Sequence, residues 1–440
     1  MTMDRRTILK QLGGVSVAAT LAGCSVQQQD GGSGDGGSGS SSDGSDGSSD
    51  GSSDGGSSTD SQGPAGTATA WWSLSDSEKA IREGAVSTFN EQSQHTIEGS
   101  DISDLQKKTS SAIPAGQGPH IFDWAHDWAG NTYEQGFTVD QSDQVSISLD
   151  QFTTTAQNAV QYEGNLVGLP FGAETVTPIA NMDIVDSVPE SMDEMISIMD
   201  DYHDPDNGQY GLSYPFDPYF SSGFLQAFGG HYYDPQADEP LGVNSDEVVR
   251  GLEYALENLR PYMPNDPSYE PQAAAFNEGN AAFAINGPWS LATFSDNDID
   301  YEVFSFPEME EGTQSPYTGI SVWYFAKPME EGGADATAAR DFVEWYVTNE
   351  DHLSMLAQEQ GAIPVLDSLV GSSDLPAEVQ AYSESAGQGT PMPSAPRMDD
   401  VWDPVGNALT KAFNGDASAQ QALDTAASEI RSNWEGRGHS

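Results

Sequence analysis

Tryptophans and carboxylates stand side by side in this chain at points where the backbone has to stop. An apolar run, Ala281 to Ile285, is cut off by Asn286-Gly287-Pro288, and the next residue is Trp289. Asn-Gly favours positive φ and marks a tight turn, and Pro288 forbids continuation of either a helix or a strand ladder. Trp289 is therefore held at a strand's end. Two roles fit those residues alone: a core tryptophan after a turn, or an aromatic plate fixed at the lip of a cleft. Aromatics and acids also interleave in Phe122-Asp123-Trp124-Ala125-His126-Asp127-Trp128 and in Asp217-Pro218-Tyr219-Phe220. A neutral sugar has an apolar CH face that stacks on aromatic planes, and hydroxyls that seek carboxylates and amides in the plane of its ring. Such a receptor needs aromatics and acids at loop positions and no reactive nucleophile.

These residues must be carried by a framework, and the chain is long enough for one. Its 440 residues can build two lobes around large cores. Thr67 to Trp72 reads as a first strand, and Ser75-Asp76 caps a helix running to Phe89. A second helix spans about Asp104 to Ile113, and Gly118-Pro119 turns into a buried strand through Asp123. Strand, helix, strand with apolar strands argues a mostly parallel α/β sheet. Further strands are expected at Asn165 to Phe171, Val176 to Asn181, Tyr210 to Phe216 and Tyr317 to Phe325. Helices are expected at Ser191 to Met199, Ser221 to Phe228, Ser245 to Tyr262 and Gln272 to Phe276. More follow at Asp335 to Val347, Asp351 to Glu359, Pro404 to Phe413 and Ser418 to Trp434. In the Ser245 helix, Val249, Leu252, Leu256 and Leu259 share one face.

Ahead of this framework lie two segments of another kind. Residues 1 to 23 read as a targeting signal. Arg5-Arg6 followed by Ile8-Leu9-Lys10 resembles the twin-arginine export signal, and Leu21-Ala22-Gly23-Cys24 resembles a lipobox. The apolar stretch between them is too brief to span a bilayer. Residues 24 to 66 comprise the lipidated Cys24 and a Gly/Ser/Asp-rich tract. With almost no apolar residues, that tract cannot bury a core and reads as a disordered tether. Cys24 is the chain's one cysteine, so no internal disulfide is possible.

The net charge is −54. Loss of residues 1 to 23 removes Asp4, Arg5, Arg6 and Lys10 and leaves 68 acidic against 12 basic residues. Phosphate recognition needs clustered Lys and Arg, so nucleic acid is excluded as a partner. The acids run through the whole chain, as on a surface kept soluble where salt screens self-repulsion, and we read the protein as salt-adapted, from a halophile. No D-x-D-x-D-G type calcium loop is present, and the seven histidines lack ligand spacing. No metal and no cofactor is expected.

The stretch Asn277 to Trp289 resembles the N-x-G-x-x-A-x-x-I-N-G-P-W segment of maltose-binding proteins, the soluble receptors of sugar-importing ABC transporters. Trp124 to Asp127 is similar to that family's W-A-H-D, and Asp217 to Phe220 to its acid-Pro-Tyr-Phe. The resemblance runs from about Thr67 to Arg431. It implies an α/β, two-lobed periplasmic-binding-protein-like fold with a hinged cleft between lobes 67–172 with 323–370 and 173–322 with 371–440. Crossings are expected near Phe171–Val176, Tyr317–Val322 and Val365–Leu375. It also implies stacking of sugar rings on Trp289, Trp124, Tyr219 and Trp402, with Asp127, Glu174 and Asp76 accepting hydroxyls. The implied partners are a neutral oligosaccharide such as maltose or a maltodextrin, and the membrane subunits of an ABC permease. The receptor is expected to be a monomer, lipid-anchored through Cys24 on the outer face of the cell membrane.

Three departures from the family stand out. Its Lys after the first acid is Ser77 here, its Arg after W-A-H-D is Trp128, and the pattern around the last tryptophan is Asp403 and Gly406. These put the identity of the sugar, its length and its linkage in question, and trehalose is an alternative. A carbohydrate-active enzyme with paired carboxylates is the rival class, but no G-x-S-x-G, H-E-x-x-H or phosphate-binding motif appears in context. Receptors for iron or polyamines would not need three tryptophans placed in this way.

Overall fold

The computed structural model describes residues 63–437, apart from Ser75 and the side chains of Asp76 and Ser77. The export signal, Cys24 and the tract up to residue 62 lie outside the described residues. The first elements are β1 (Thr67–Trp72), α1 (Asp76–Gln92), β2 (Thr96–Asp101), α2 (Leu105–Ala112) and β3 (Ile121–Ala125). A 3-10 turn at His126–Trp128 leads to α3 (Ala129–Glu134) and α4 (Thr154–Ala159), then to β4 (Gln161–Tyr162), β5 (Asn165–Leu166) and β6 (Gly168–Glu174). Next come β7 (Thr177–Asn181), α5 (Met192–Tyr202), β8 (Tyr210–Ser213), α6 (Pro218–Leu225), α7 (Asp246–Asn258) and α8 (Tyr269–Asn277). They are followed by β9 (Ala281–Asn286), α9 (Leu291–Asp296), β10 (Tyr301–Val303) and β11 (Tyr317–Phe325). The chain closes with α10 (Gly333–Thr348), α11 (Glu350–Gln360), α12 (Ala377–Gln388), β12 (Thr390–Pro391), α13 (Trp402–Phe413) and α14 (Ala419–Arg437).

Two sheets organise these elements. The larger has the order β12-β11-β3-β1-β2, with β6 on β11, and the smaller has the order β10-β7-β9-β8. β6 belongs to the first sheet and β7 to the second, so the chain passes between them at Thr175-Val176. Two hydrophobic cores form, and the first also takes in Ile179, Ala284 and Val303 from one face of the second sheet. Trp72, Phe122, Trp323, Phe342 and Tyr346 pack in the first, and Leu212, Phe224, Leu252, Phe283 and Leu423 in the second. Strands buried on both faces read as unbroken apolar runs, as in the fully buried β9.

Two expectations are corrected. The sheets are mixed rather than mostly parallel: β1 pairs parallel with β2 and β3, whereas β11 is antiparallel to both β3 and β6. β6 leads toward the second sheet and β11 comes back from it, so the two must run in opposite directions. The tight positive-φ turn at Asn286-Gly287 also does not form. Gly287 is extended, at φ −96° and ψ 170°, and Pro288 opens a 3-10 turn over Pro288–Ser290. Glycine is needed there for closeness instead. A Cβ at Gly287 would lie 2.3 Å from the Trp289 ring, which folds back over the backbone.

Candidate ligand-binding site

The tip of α6 shows how local sequence places a side chain. Asp217 is the N-cap, accepting hydrogen bonds at 3.0 Å from the backbone N–H groups of both Tyr219 and Phe220, and Pro218 occupies the first helical position. This starts the helix three residues before the expected Ser221. The capping carboxylate holds Tyr219 so that its hydroxyl donates to the carbonyl of Glu174, the last residue of β6, at 3.3 Å. Trp289 lies against the same group, with ring centroids 6.4 Å from Tyr219 and 6.1 Å from Phe220. Tyr219 is 6% exposed, and Trp289 is half-buried. The ends of β6, α6 and β9 thus converge on one aromatic–carboxylate cluster.

The W-A-H-D turn at the end of β3 supplies the other half. His126 is buried and works as a tie. Its Nδ1 accepts the backbone N–H of Ile320 at 3.0 Å, which leaves Nε2 to donate to the carbonyl of Met392 at 2.8 Å. Burial pushes its pKa down to about 4, so it is neutral and keeps that tautomer. Asp127, next to it, receives the indole N–H of Trp402 at the start of α13. Its Oδ1 is shielded from solvent and makes no hydrogen bond. Burial first, then the nearby Asp399 and Glu174 carboxylates, push its pKa up to about 8. Trp402 in turn stands edge-on to Tyr317, with centroids 5.7 Å apart.

Five of the residues singled out from the sequence are therefore linked in one chain of contacts and fields: Trp289, Tyr219, Glu174, Asp127 and Trp402. Trp124 is placed differently. It is 7% exposed, and its ring is stacked on Trp128 at 4.4 Å. Asp76 opens α1, with its side chain outside the description. Two participants were not found from the sequence. Asp399 is bonded by Asn131 at 3.3 Å and faces Arg437 at 3.7 Å. Tyr269 lines a groove of about 660 Å³ with Tyr219, Trp402 and Asn407. The size is that of a small-molecule site, and its walls mix aromatic rings with amides and carboxylates. Among the described residues no group of three or more His, Cys, Asp or Glu could hold a metal ion.

Known proteins resemble this chain in sequence and in fold. Residues 84–403 match the family described as bacterial extracellular solute-binding protein. A maltotriose-binding protein of Pyrococcus abyssi is 35% identical over 342 residues, covering 76% of this chain and 74% of the relative. A maltooligosaccharide ABC transporter solute-binding lipoprotein of Streptococcus pneumoniae is 21% identical over 63% of this chain and 68% of its own. The structure of a Thermus thermophilus maltotriose-binding protein bound with maltotriose superposes with a TM-score of 0.74 at 24% identity, over 83% of this chain and 99% of that one. The fold is thus two-lobed, and the rival reading as an enzyme is set aside, because the relatives are solute-binding proteins. With 320 of its 440 residues in the family match and a relative at that identity, the chain belongs to the bacterial extracellular solute-binding proteins.

Proposed function

We propose that this protein is the capture subunit of an ABC sugar importer and holds a neutral α-linked gluco-oligosaccharide, maltose or a maltodextrin, in the cleft between its lobes. The observation that supports the reading is the chain of contacts and fields from Trp289 through Tyr219, Glu174 and Asp127 to Trp402, which gathers aromatic rings and carboxyl groups together. Asp76 adds an acid at the first loop, and Trp124 backs the W-A-H-D turn. The lobes are 67–172 with 323–370 and 173–322 with 371–440, in keeping with the membership of β6 and β7 in separate sheets. They close on the sugar as a hinge, and the closed monomer docks on the permease.

The receptor is exported through Arg5-Arg6 and tethered by a lipid on Cys24. No described helix is long and apolar enough to cross a membrane, and the pneumococcal relative is called a lipoprotein. Replacing Cys24 with Ser should release the protein from the membrane fraction; continued membrane association would place the anchor elsewhere.

The binding reading is tested by calorimetry at high salt with maltose, maltotriose, trehalose and longer glucans. Aromatic anchors in desolvated pockets cost about 2 kcal/mol or more on truncation, roughly a thirtyfold loss of affinity. Trp289→Ala and Trp402→Ala should each show such a loss. If no sugar binds the wild type, or if both variants bind as tightly as it does, the reading fails.

A further inference from the structure

Behind Trp289 lies a second, smaller cavity of about 50 Å³, whose walls include Glu78, Arg82, Glu174, Trp289, Ser321 and Gln360. Arg82 is a core residue, only 4% exposed, on the inner side of α1. Its guanidinium sits among four aromatic rings, with centroids 4.5 Å away for Trp323, 5.0 Å for Tyr346, 5.2 Å for Phe171 and 5.7 Å for Trp72. Asp123 of β3 pairs with its Nη1 at 2.6 Å. Aromatic faces satisfy charge but not directional hydrogen bonding, and Arg82 Nε makes no hydrogen bond within the protein. A buried charged group with an unmade hydrogen bond carries a penalty, so an oxygen acceptor beside it is favoured.

The wall chemistry narrows what that acceptor is. Glu78 and Glu174 flank a guanidinium already paired with Asp123, so the local field repels a phosphate, sulfate or carboxylate. A hydroxyl is suited to it, since it accepts from a guanidinium or amide N–H and donates to a carboxylate. The volume suits one or two waters or a single hydroxymethyl group, and not a whole sugar ring. Trp289, the expected stacking plate, forms part of the same wall.

Resting on the sugar-binding reading above, we propose that this cavity is the closed end of the sugar site, where Arg82, Glu78 and Gln360 read the exocyclic hydroxymethyl group of a terminal pyranose. Arg82 is then a specificity-determining residue, set into the floor of the cleft.

The test uses calorimetry with maltotriose and its two analogues in which the 6-hydroxyl of the first or the last glucose is replaced by hydrogen. Wild-type protein should bind one analogue about tenfold or more weakly than maltotriose. In Arg82→Lys and Gln360→Ala, maltotriose itself should bind more weakly and the discrimination should collapse toward unity. A merely structural role for Arg82 would weaken all three ligands and leave their ratio unchanged. If Arg82→Lys does not fold, Gln360→Ala and Glu78→Gln, both at half-buried helix positions, decide the matter by the same ratio. Equal binding of all three sugars by the wild type, or an unchanged ratio in the variants, shows a cavity that holds water only and overturns this proposal while the sugar-binding reading stands. Failure of the wild type to bind maltotriose overturns both.

Discussion

Asp127 is held by its surroundings as a proton carrier. With Oδ1 shielded from solvent and the Asp399 and Glu174 carboxylates nearby, its pKa is pushed up to about 8, although the Trp402 N–H favours the charged form. At neutral pH it can therefore donate a hydrogen bond as well as accept one. The raised pKa also has a consequence for stability. Below about pH 4 the carboxyl is protonated in both folded and unfolded chains and costs nothing. From about 4 to about 8 the unfolded chain releases the proton and the folded one retains it, so stability falls with rising pH, and the penalty is complete above about 8. Asp127→Asn should therefore raise the unfolding midpoint at pH 8 and change it little at pH 4. His126 and His352, both pushed down to about 4 by burial, act in the opposite sense: stability is lost as pH falls from 6.5 toward 4. Variant and wild type must accordingly be compared at the same pH. A gain equal at both pH values would mean that Asp127 is not the group that titrates. W-A-H-D makes the position of Asp127 legible but not its proton, because the neighbours that raise its pKa arrive from distant parts of the chain.

At the scale of elements, the site depends on where strands and helices stop. Gly287 illustrates a stop whose purpose is spatial. Its backbone angles are open to any residue, so Gly287→Ala costs nothing in φ and ψ. The added methyl instead meets the indole of Trp289, which is wedged against Tyr219 and Phe220. Overpacking of this kind costs about 1–3 kcal/mol. Gly287→Ala should keep the fold but move the plate, lowering maltotriose affinity nearly as much as Trp289→Ala. Unchanged affinity, measured in the same calorimeter, would show that the position of the ring does not matter.

The ends of elements were the most legible feature of the sequence. β1 and β11 fall where the apolar runs put them, and Ser191 and Ser245 cap α5 and α7 as their positions suggest. Two elements were not legible. β2 buries only Ile97 and reads as a polar loop; it forms because its backbone pairs with every residue of β1 at the sheet edge. α12 is built from small and polar residues, and only Val379, Tyr382 and Ser385 are buried. Its helical face becomes visible only once Tyr382 donates to the carbonyl of Asn286 at 3.2 Å, bracing the strand end that carries Trp289. The mixed sense of the first sheet was missed for a related reason. A strand's direction depends on where the chain has been, and β11 comes back from the second sheet.

On the scale of the whole molecule, charge dominates. The residues after position 23 carry 68 acids and 12 bases. Much of the positive charge is already engaged: Lys79 with Asp101, Arg82 with Asp123, Arg250 with Glu311, Lys327 with Glu330, and Arg437 with Asp399 and Asp400. With so few bases, most carboxylates have no basic residue to pair with. Exposed charges farther apart than the Debye length, about 8–10 Å near 0.1–0.15 M salt and about 3 Å at 1 M, are largely screened from one another. Self-repulsion within the folded shell is thus strong in dilute buffer and weak in molar salt, whereas the unfolded chain, being expanded, gains less from screening. The unfolding midpoint should therefore climb steadily from low to molar KCl. Sodium chloride should act similarly, since the effect is one of ionic strength. The affinity for a neutral sugar should change far less over the salt range in which the protein is fully folded, because no net charge enters the cleft with it. A series of unfolding midpoints that is flat or falls with KCl would contradict the salt-adapted reading and would leave the acidic surface without the role assigned to it here.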